Sequence, residues 1–194
     1  MNNLKDVLNI VKEHEIIRRY MIINSFDGAL TIFGILMASF IAGIRNPSLI
    51  ILPSIGAAIA MCVSGIWGAY AAESAEVKKK FKELEKHLLT KLHMSKRYAE
   101  SQKINLLVGL VDGISPLITS MIIILPFFFA NAGLLGVMQA YYYSIALITV
   151  VLFLLGMFLG KVAKENMYKN GFKMLFAGIL IAVVFYVLVL LHIL

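Results

Sequence analysis

Two aspartates, Asp27 and Asp112, stand inside stretches of sequence that are otherwise apolar. An ionised carboxylate near the middle of a membrane-crossing helix costs about 2.5–3.5 kcal/mol on the insertion scale, so it faces a cavity, an ion or a partner. Asp27 and Asp112 lie eight and nine residues beyond the last basic residue before them, Arg19 and Lys103. At the rise of an α-helix that is a depth of roughly 12–14 Å. Carboxylates so placed mark ion and proton pathways. The structural alternative is a carboxylate that caps a broken helix or bonds a neighbouring one, helped by the glycine that follows each acid, Gly28 and Gly113. Pro116 strengthens that alternative for Asp112, because a proline frees a carbonyl that then needs a partner.

Other donors could join an ion path. Met61 offers a thioether, a ligand that favours softer transition metals over Mg²⁺ or Ca²⁺. Most of the ten methionines in such a chain simply pack. Ser64 lies on the same apolar stretch as Met61, with Gly65 and Gly68 making that stretch small on one side, as helices in close approach require. Glu73, Glu76 and Glu165 stand where apolar stretches end and could collect cations at the cytoplasmic mouth, or balance nearby lysines. The four expected metal ligands are Asp27, Met61, Glu73 and Glu76. Glu83 and His87 have i,i+4 spacing, which suits either a divalent metal or an ordinary charge pair. His14, His93 and His192 have no partner at a recognisable spacing, and the single Cys62 has no internal disulfide partner. No Gly-rich phosphate loop, His-Glu-x-x-His, paired-cysteine site or Gly-x-Ser-x-Gly elbow is present. A membrane phosphotransferase would need several aspartates on one helix face, and each apolar stretch here has at most one. The reading is of a non-enzyme with no resident cofactor.

The elements that must position these residues follow from composition. The 194 residues are 60% apolar, against roughly half in a soluble domain. Five stretches reach the roughly 20 apolar residues that a spanning helix needs: Tyr20–Gly43, Ser48–Ala72, Ile104–Ala130, Met138–Gly160 and Gly171–Leu194. The first is too long for a signal-peptide core and follows a polar segment. The net charge of +7 is unevenly spread. Basic residues precede span one, crowd between spans two and three and follow span four, whereas the alternate connections hold only Arg45. That is the positive-inside pattern, which puts the N-terminus in the cytoplasm and the C-terminus outside. It also accounts for the charge without nucleic acid and gives anionic lipid headgroups a surface to meet.

The expected fold is all-α and polytopic: an amphipathic cytoplasmic helix over 1–19, spans one and two over 20–72, a cytoplasmic amphipathic helix over 73–103, and spans three to five over 104–194. Leu4, Val7, Leu8, Val11 and Ile16 carry the first amphipathic stripe, and Val77, Phe81, Leu84, Leu88 and Leu92 the second. Asn46-Pro47 makes a short external turn. Phe26-Asp27-Gly28-Ala29 and Val111-Asp112-Gly113-Ile114 suggest an internal repeat, as do Gly68 with Glu73 and Gly160 with Glu165. Both halves would run in the same direction, as in transporters built from parallel repeats.

Several short motifs resemble the vacuolar iron transporter family. Ile17-Arg18-Arg19 followed by Asp27-Gly28-Ala29-Leu30-Thr31 looks like that family's entry to its first helix. Ser64 to Tyr70 is similar to its Ser-Met-x-x-Gly-Glu-Tyr run, and Ile124-Leu125-Pro126-Phe127 and Gly171 to Tyr186 match later stretches. The resemblance implies a compact, divergent, prokaryotic-type member. It implies export of Fe²⁺ or Manganese (Mn²⁺) from the cytoplasm in antiport with protons, and a homodimer whose first helices line the path, with Asp27 as the ion-binding acid. Two positions depart: the family's span-two Met is Gly65 here, and its Glu is Ala69. Asp112 lies outside the family motif. The alternative from another class is a non-transporting scaffold or regulator whose 73–103 segment binds a partner or anionic lipid.

Overall fold

The computed structural model describes residues 2–88 and 96–191, with side chains for 15–86 and 98–191. Within them the chain forms five helices: α1 (Asn2–Ile41), α2 (Ser48–Leu88), α3 (Lys96–Asn131), α4 (Val137–Val162) and α5 (Met167–Leu190). All five are long and apolar enough to cross a membrane. The all-α reading, with five helices fit to span, therefore holds.

The amphipathic segments differ from expectation. Among the described residues of 73–103, no helix stands apart from the spans. The first part of that segment is the end of α2, which runs unbroken to Leu88, and its last part is the start of α3 from Lys96. From Glu73 to Leu88 there is no Gly or Pro to stop the helix. Likewise the expected N-terminal helix is continuous with span one in the 40 residues of α1, and no Gly or Pro precedes Gly28. A helix of that length reaches about 60 Å, twice a roughly 30 Å hydrocarbon core, so α1 is longer than one crossing needs. Leu92 and His93 fall outside the described residues, as does His192, and the side chains of His14 and His87 lie outside the described ones.

The turns are short and chemically defined. Gly43 takes a positive φ of 69° after α1, and the Asn46 side chain accepts a hydrogen bond from the Ser48 N–H at 3.0 Å to start α2. Gly133, at φ 76°, ends α3. The α5 start comes earlier than the expected Gly171, because the Asn166 side chain accepts from the N–H groups of Tyr168 and Lys169 and caps the helix there.

Ile32, Leu36, Ile50, Ile123, Ile124, Phe127, Tyr141 and Leu152 form a dry core away from the lysine-rich end. Phe127 and Tyr141 meet edge-on at 4.9 Å, and the Tyr141 hydroxyl donates to the Ile44 carbonyl at 3.1 Å. The opposite, basic end is organised around glycines. An added Cβ on Gly113 would overlap the Cys62 carbonyl, and one on Gly109 would come within 2.7 Å of the Ile66 carbonyl. These two glycines, four residues apart, let α3 lie directly on the α2 backbone.

Candidate ion site in the membrane

Where α2 and α3 lie backbone to backbone, α1 packs on α3 but leaves space beside α2. Gly28 fixes that approach: its added Cβ would come within 2.8 Å of the Pro116 backbone. The result is a cavity of about 560 Å³ at the basic end of the bundle. From α1 it is lined by Tyr20, Asn24 and Asp27, and from α3 by Asp112 and Pro116. From α2 come Met61 and Ser64, with Gly65, Gly68 and Ala69 keeping that wall low. The four residues expected on the ion path, Asp27, Asp112, Met61 and Ser64, thus share one cavity.

The two acids stand in different settings. Asp112 is buried, with 7% of its surface exposed, and its Oδ1 accepts a hydrogen bond from Asn24 Nδ2. Asn24 Nδ2 also donates to the Tyr20 carbonyl at 3.1 Å. Pro116 has no N–H to give to the Asp112 carbonyl one turn before it, so α3 brings both a carboxylate and a freed carbonyl to this level. Asp27 is exposed and has no hydrogen bond among the described residues. Of the two structural alternatives for these acids, bonding to a neighbouring helix describes Asp112. Neither describes Asp27.

Asn24 and Tyr20 were missed as site residues. The signal was present: Tyr20, Asn24 and Asp27 are spaced by four and three, so one face of α1 carries all three polar groups. The Tyr20 hydroxyl donates to Glu73 Oε1 at 3.1 Å, which ties α1 to α2 as Asn24 ties it to α3. Glu73 is therefore engaged beside the cavity and does not line it. Glu76 is paired with Lys80 at 3.3 Å. Glu165 accepts from Asn170 Nδ2 at 3.1 Å at the α4–α5 turn. Neither Glu76 nor Glu165 lines the cavity.

The departure at Gly65 has a steric cause. A Cβ there would lie 2.9 Å from the Gly113 Cα, so a methionine cannot occupy position 65 while α2 and α3 are this close. The neighbouring sulfur comes instead from Met61, one turn away. Among the described residues no group of three or more His, Cys, Asp or Glu could hold a metal ion. One chain therefore offers two carboxylates with amide, hydroxyl and thioether neighbours.

The model of the VIT family matches residues 76–190, which take in the end of α2 and all of α3, α4 and α5. An uncharacterized protein of Methanocaldococcus jannaschii is 33% identical over 184 residues, covering 93% of this chain and 92% of that protein. No solved structure matches. A family match over more than half of the chain, a relative aligned along nearly all of it and five helices fit to cross a bilayer lead to one conclusion: this chain is an integral, multi-pass membrane protein and a member of the VIT family.

Proposed function

We propose that this protein carries a divalent metal ion, Fe²⁺ or Mn²⁺, across the membrane in exchange for protons, and that Asp27 binds the ion. The family is one of membrane metal-ion transporters rather than enzymes. The observation that carries the assignment to this site is that Asp27, Asp112 and Met61, drawn from three helices, line one open cavity within the spans. A scaffold would be better served by a dry bundle with both acids consumed in holding helices together. Asp27 is not so consumed.

In this reading the basic end is cytoplasmic by the positive-inside rule, so the cavity lies on the cytoplasmic side, where an exported ion would enter. Asp27 supplies charge to the ion, Met61 a soft donor that favours softer transition metals over Mg²⁺, and Asp112 relays a proton or holds a second ion. Glu73 attracts cations at the entrance, where Tyr20 holds it. Two acids with few further ligands make a thin site, which a homodimer would complete. An exposed carboxylate at Asp27 is costly against lipid. Beside it on α2 the small residues Gly56, Ala60, Ser64, Gly68 and Ala72 recur every fourth position, all exposed. A second copy packed on this face would bring two Asp27 side chains near one axis, matching the charge of one divalent cation.

The test is uptake of Fe²⁺ and Mn²⁺ into proteoliposomes under an imposed proton gradient. Wild type should accumulate metal and Asp27→Asn should not. Equal behaviour of the two would defeat the assignment.

A further inference from the structure

A second cavity, of about 570 Å³, opens between α2 and α3 on a different face of α2 from the acid cavity. It belongs to no part of the ion path. Trp67, Tyr70, Ser74 and Lys78 line it from α2, and Tyr98 and Gln102 from α3. Each set follows helical spacing, so each presents one continuous face.

Its chemistry changes along its length. Towards the bundle centre it begins with Trp67, 76% exposed, and Tyr70, the amphipathic rings that settle at a membrane–water boundary. Towards the basic end it has Lys78, which makes no ion pair among the described residues. Lys78 also borders an adjoining hollow lined by Lys79, Lys82, Lys86 and the carboxylate of Glu83. Between these ends stands Gln102. Its Oε1 accepts from the Ser74 hydroxyl at 3.1 Å, but its Nε2 is buried with no hydrogen-bond partner. An unpartnered buried donor is expensive, and the Gln102 side chain that carries it lines the same cavity as Lys78.

Below the cavity both helices turn apolar and exposed. Val63 and Ile59 continue the line of Trp67 down α2, and Leu106, Leu110 and Ile114 continue that of Gln102 down α3. A ligand that met every part of this surface would have an anionic group with hydrogen-bond acceptors, then an interfacial linkage, then long apolar chains.

We infer that the cavity between Trp67, Lys78, Tyr98 and Gln102 is a binding site for a glycerophospholipid with an anionic phosphodiester headgroup. The phosphate pairs with Lys78 Nζ, and a turn of the Gln102 side chain, which lines the cavity, brings it the Nε2 donor that is otherwise buried without a partner. The glycerol region lies against Trp67 and Tyr70, and the acyl chains follow the two apolar lines. Free phosphate shares the headgroup chemistry, but it would leave the exposed rings and the apolar lines without a role. The site stands whether or not the chain moves metal.

Trp67 is the only tryptophan in the protein, so its fluorescence reports this cavity alone. The full-length protein is reconstituted in vesicles doped with phosphatidylglycerol or phosphatidylcholine, each brominated on its acyl chains, at equal mole fraction. Brominated phosphatidylglycerol should be favoured at Trp67 by about fivefold, the worth of one lysine near a membrane surface. Lys78→Gln should remove that preference, and Gln102→Ala, which changes no charge, should reduce it. Lys169→Gln loses the same charge on α5 and should leave it intact. Equal quenching by the two lipids, or stronger quenching by phosphatidylcholine, would overturn the site. So would equal losses in Lys78→Gln and Lys169→Gln, which indicate only diffuse attraction. Displacement of the brominated phosphatidylglycerol by inorganic phosphate at constant ionic strength would assign the pocket to a free anion instead.

Discussion

Two seams in this molecule are built alike and end differently. At the α2–α3 seam, Gly109 and Gly113 on α3 meet the carbonyls of Ile66 and Cys62. At the α4–α5 seam, Gly156 and Gly160 on α4 meet the backbone of Asn170 and Met167. In each, two glycines four residues apart bring helix backbones into contact. The second seam closes on itself: the Asn170 amide donates to Glu165 and to the Asn166 carbonyl. The first seam has a third helix across it. α1 rests on Pro116 through Gly28 and stands off α2, and the space left beside Gly65 and Gly68 holds both aspartates. Close glycine packing is therefore common to both places. What makes one of them a site is the space that α1 leaves and the acid that each neighbouring helix brings to it.

Breaking each seam should separate these roles. Gly113→Val has nowhere to put its Cβ, since the obstacle is the Cys62 backbone. We expect a loss of about 3 kcal/mol, at the upper part of the range for overpacking, read as a fall in melting temperature in detergent. Metal-dependent stabilisation should vanish with it. Gly156→Val meets the Asn170 carbonyl in the same way and should cost a similar amount. The molecules that remain folded should still gain stability from Fe²⁺ or Mn²⁺. If both variants lose the metal response, the site depends on the whole bundle and not on the first seam.

A smaller strain sharpens the same seam. Gly65→Met restores the residue that the family resemblance implies, but its Cβ falls 2.9 Å from the Gly113 Cα. The variant should lose about 2 kcal/mol and transport less than wild type, despite the added sulfur. A gain in metal uptake would mean that α2 and α3 part more readily than their contact suggests.

How much of this was legible follows the same division. The five spans are written in apolar runs long enough for the bilayer, and the acids stand out because nothing near them in sequence is charged. Depth counted from Arg19 and Lys103 put Asp27 and Asp112 at one level, and the structure has them on one cavity. The partnership of Asn24 with Asp112 joins residues far apart in the chain, and periodicity within α1 could have flagged only the face. The stripe of Val77, Phe81, Leu84 and Leu88 is the same whether it belongs to a separate helix or to the end of α2. The absence of Gly and Pro after Gly68 was the stronger signal. Position 65 reads in sequence as a lost ligand, and only the Gly113 contact shows why a side chain is excluded there.

The two acids themselves form the next contrast. Asp112→Asn keeps a group able to bond Asn24 but removes the charge. Since Asp112 is engaged and buried whereas Asp27 is not, we expect Asp112→Asn to slow proteoliposome uptake by about tenfold, near the cost of one charge-assisted contact. Asp27→Asn should abolish uptake. The reverse order would make the buried acid the ion ligand.

The smallest effect tests what lies outside both seams. Gly56 sits in mid-helix with nothing within 4 Å of an added Cβ. Inside one chain, Gly56→Ala should therefore stabilise α2 by up to about 1 kcal/mol, the usual helix-interior difference between the two residues. Gly56 is also on the exposed small-residue line of α2 that a second copy would cover. If two chains pack there at backbone distance, the added methyl should instead weaken the dimer, seen as a shift towards monomer on dilution in detergent. A rise in melting temperature with no change in oligomer would place the partner surface elsewhere and leave Asp27 to bind its ion from one chain. A fall in dimer content without loss of monomer stability would show that this line, unlike either seam, is built for a partner and not for the chain itself.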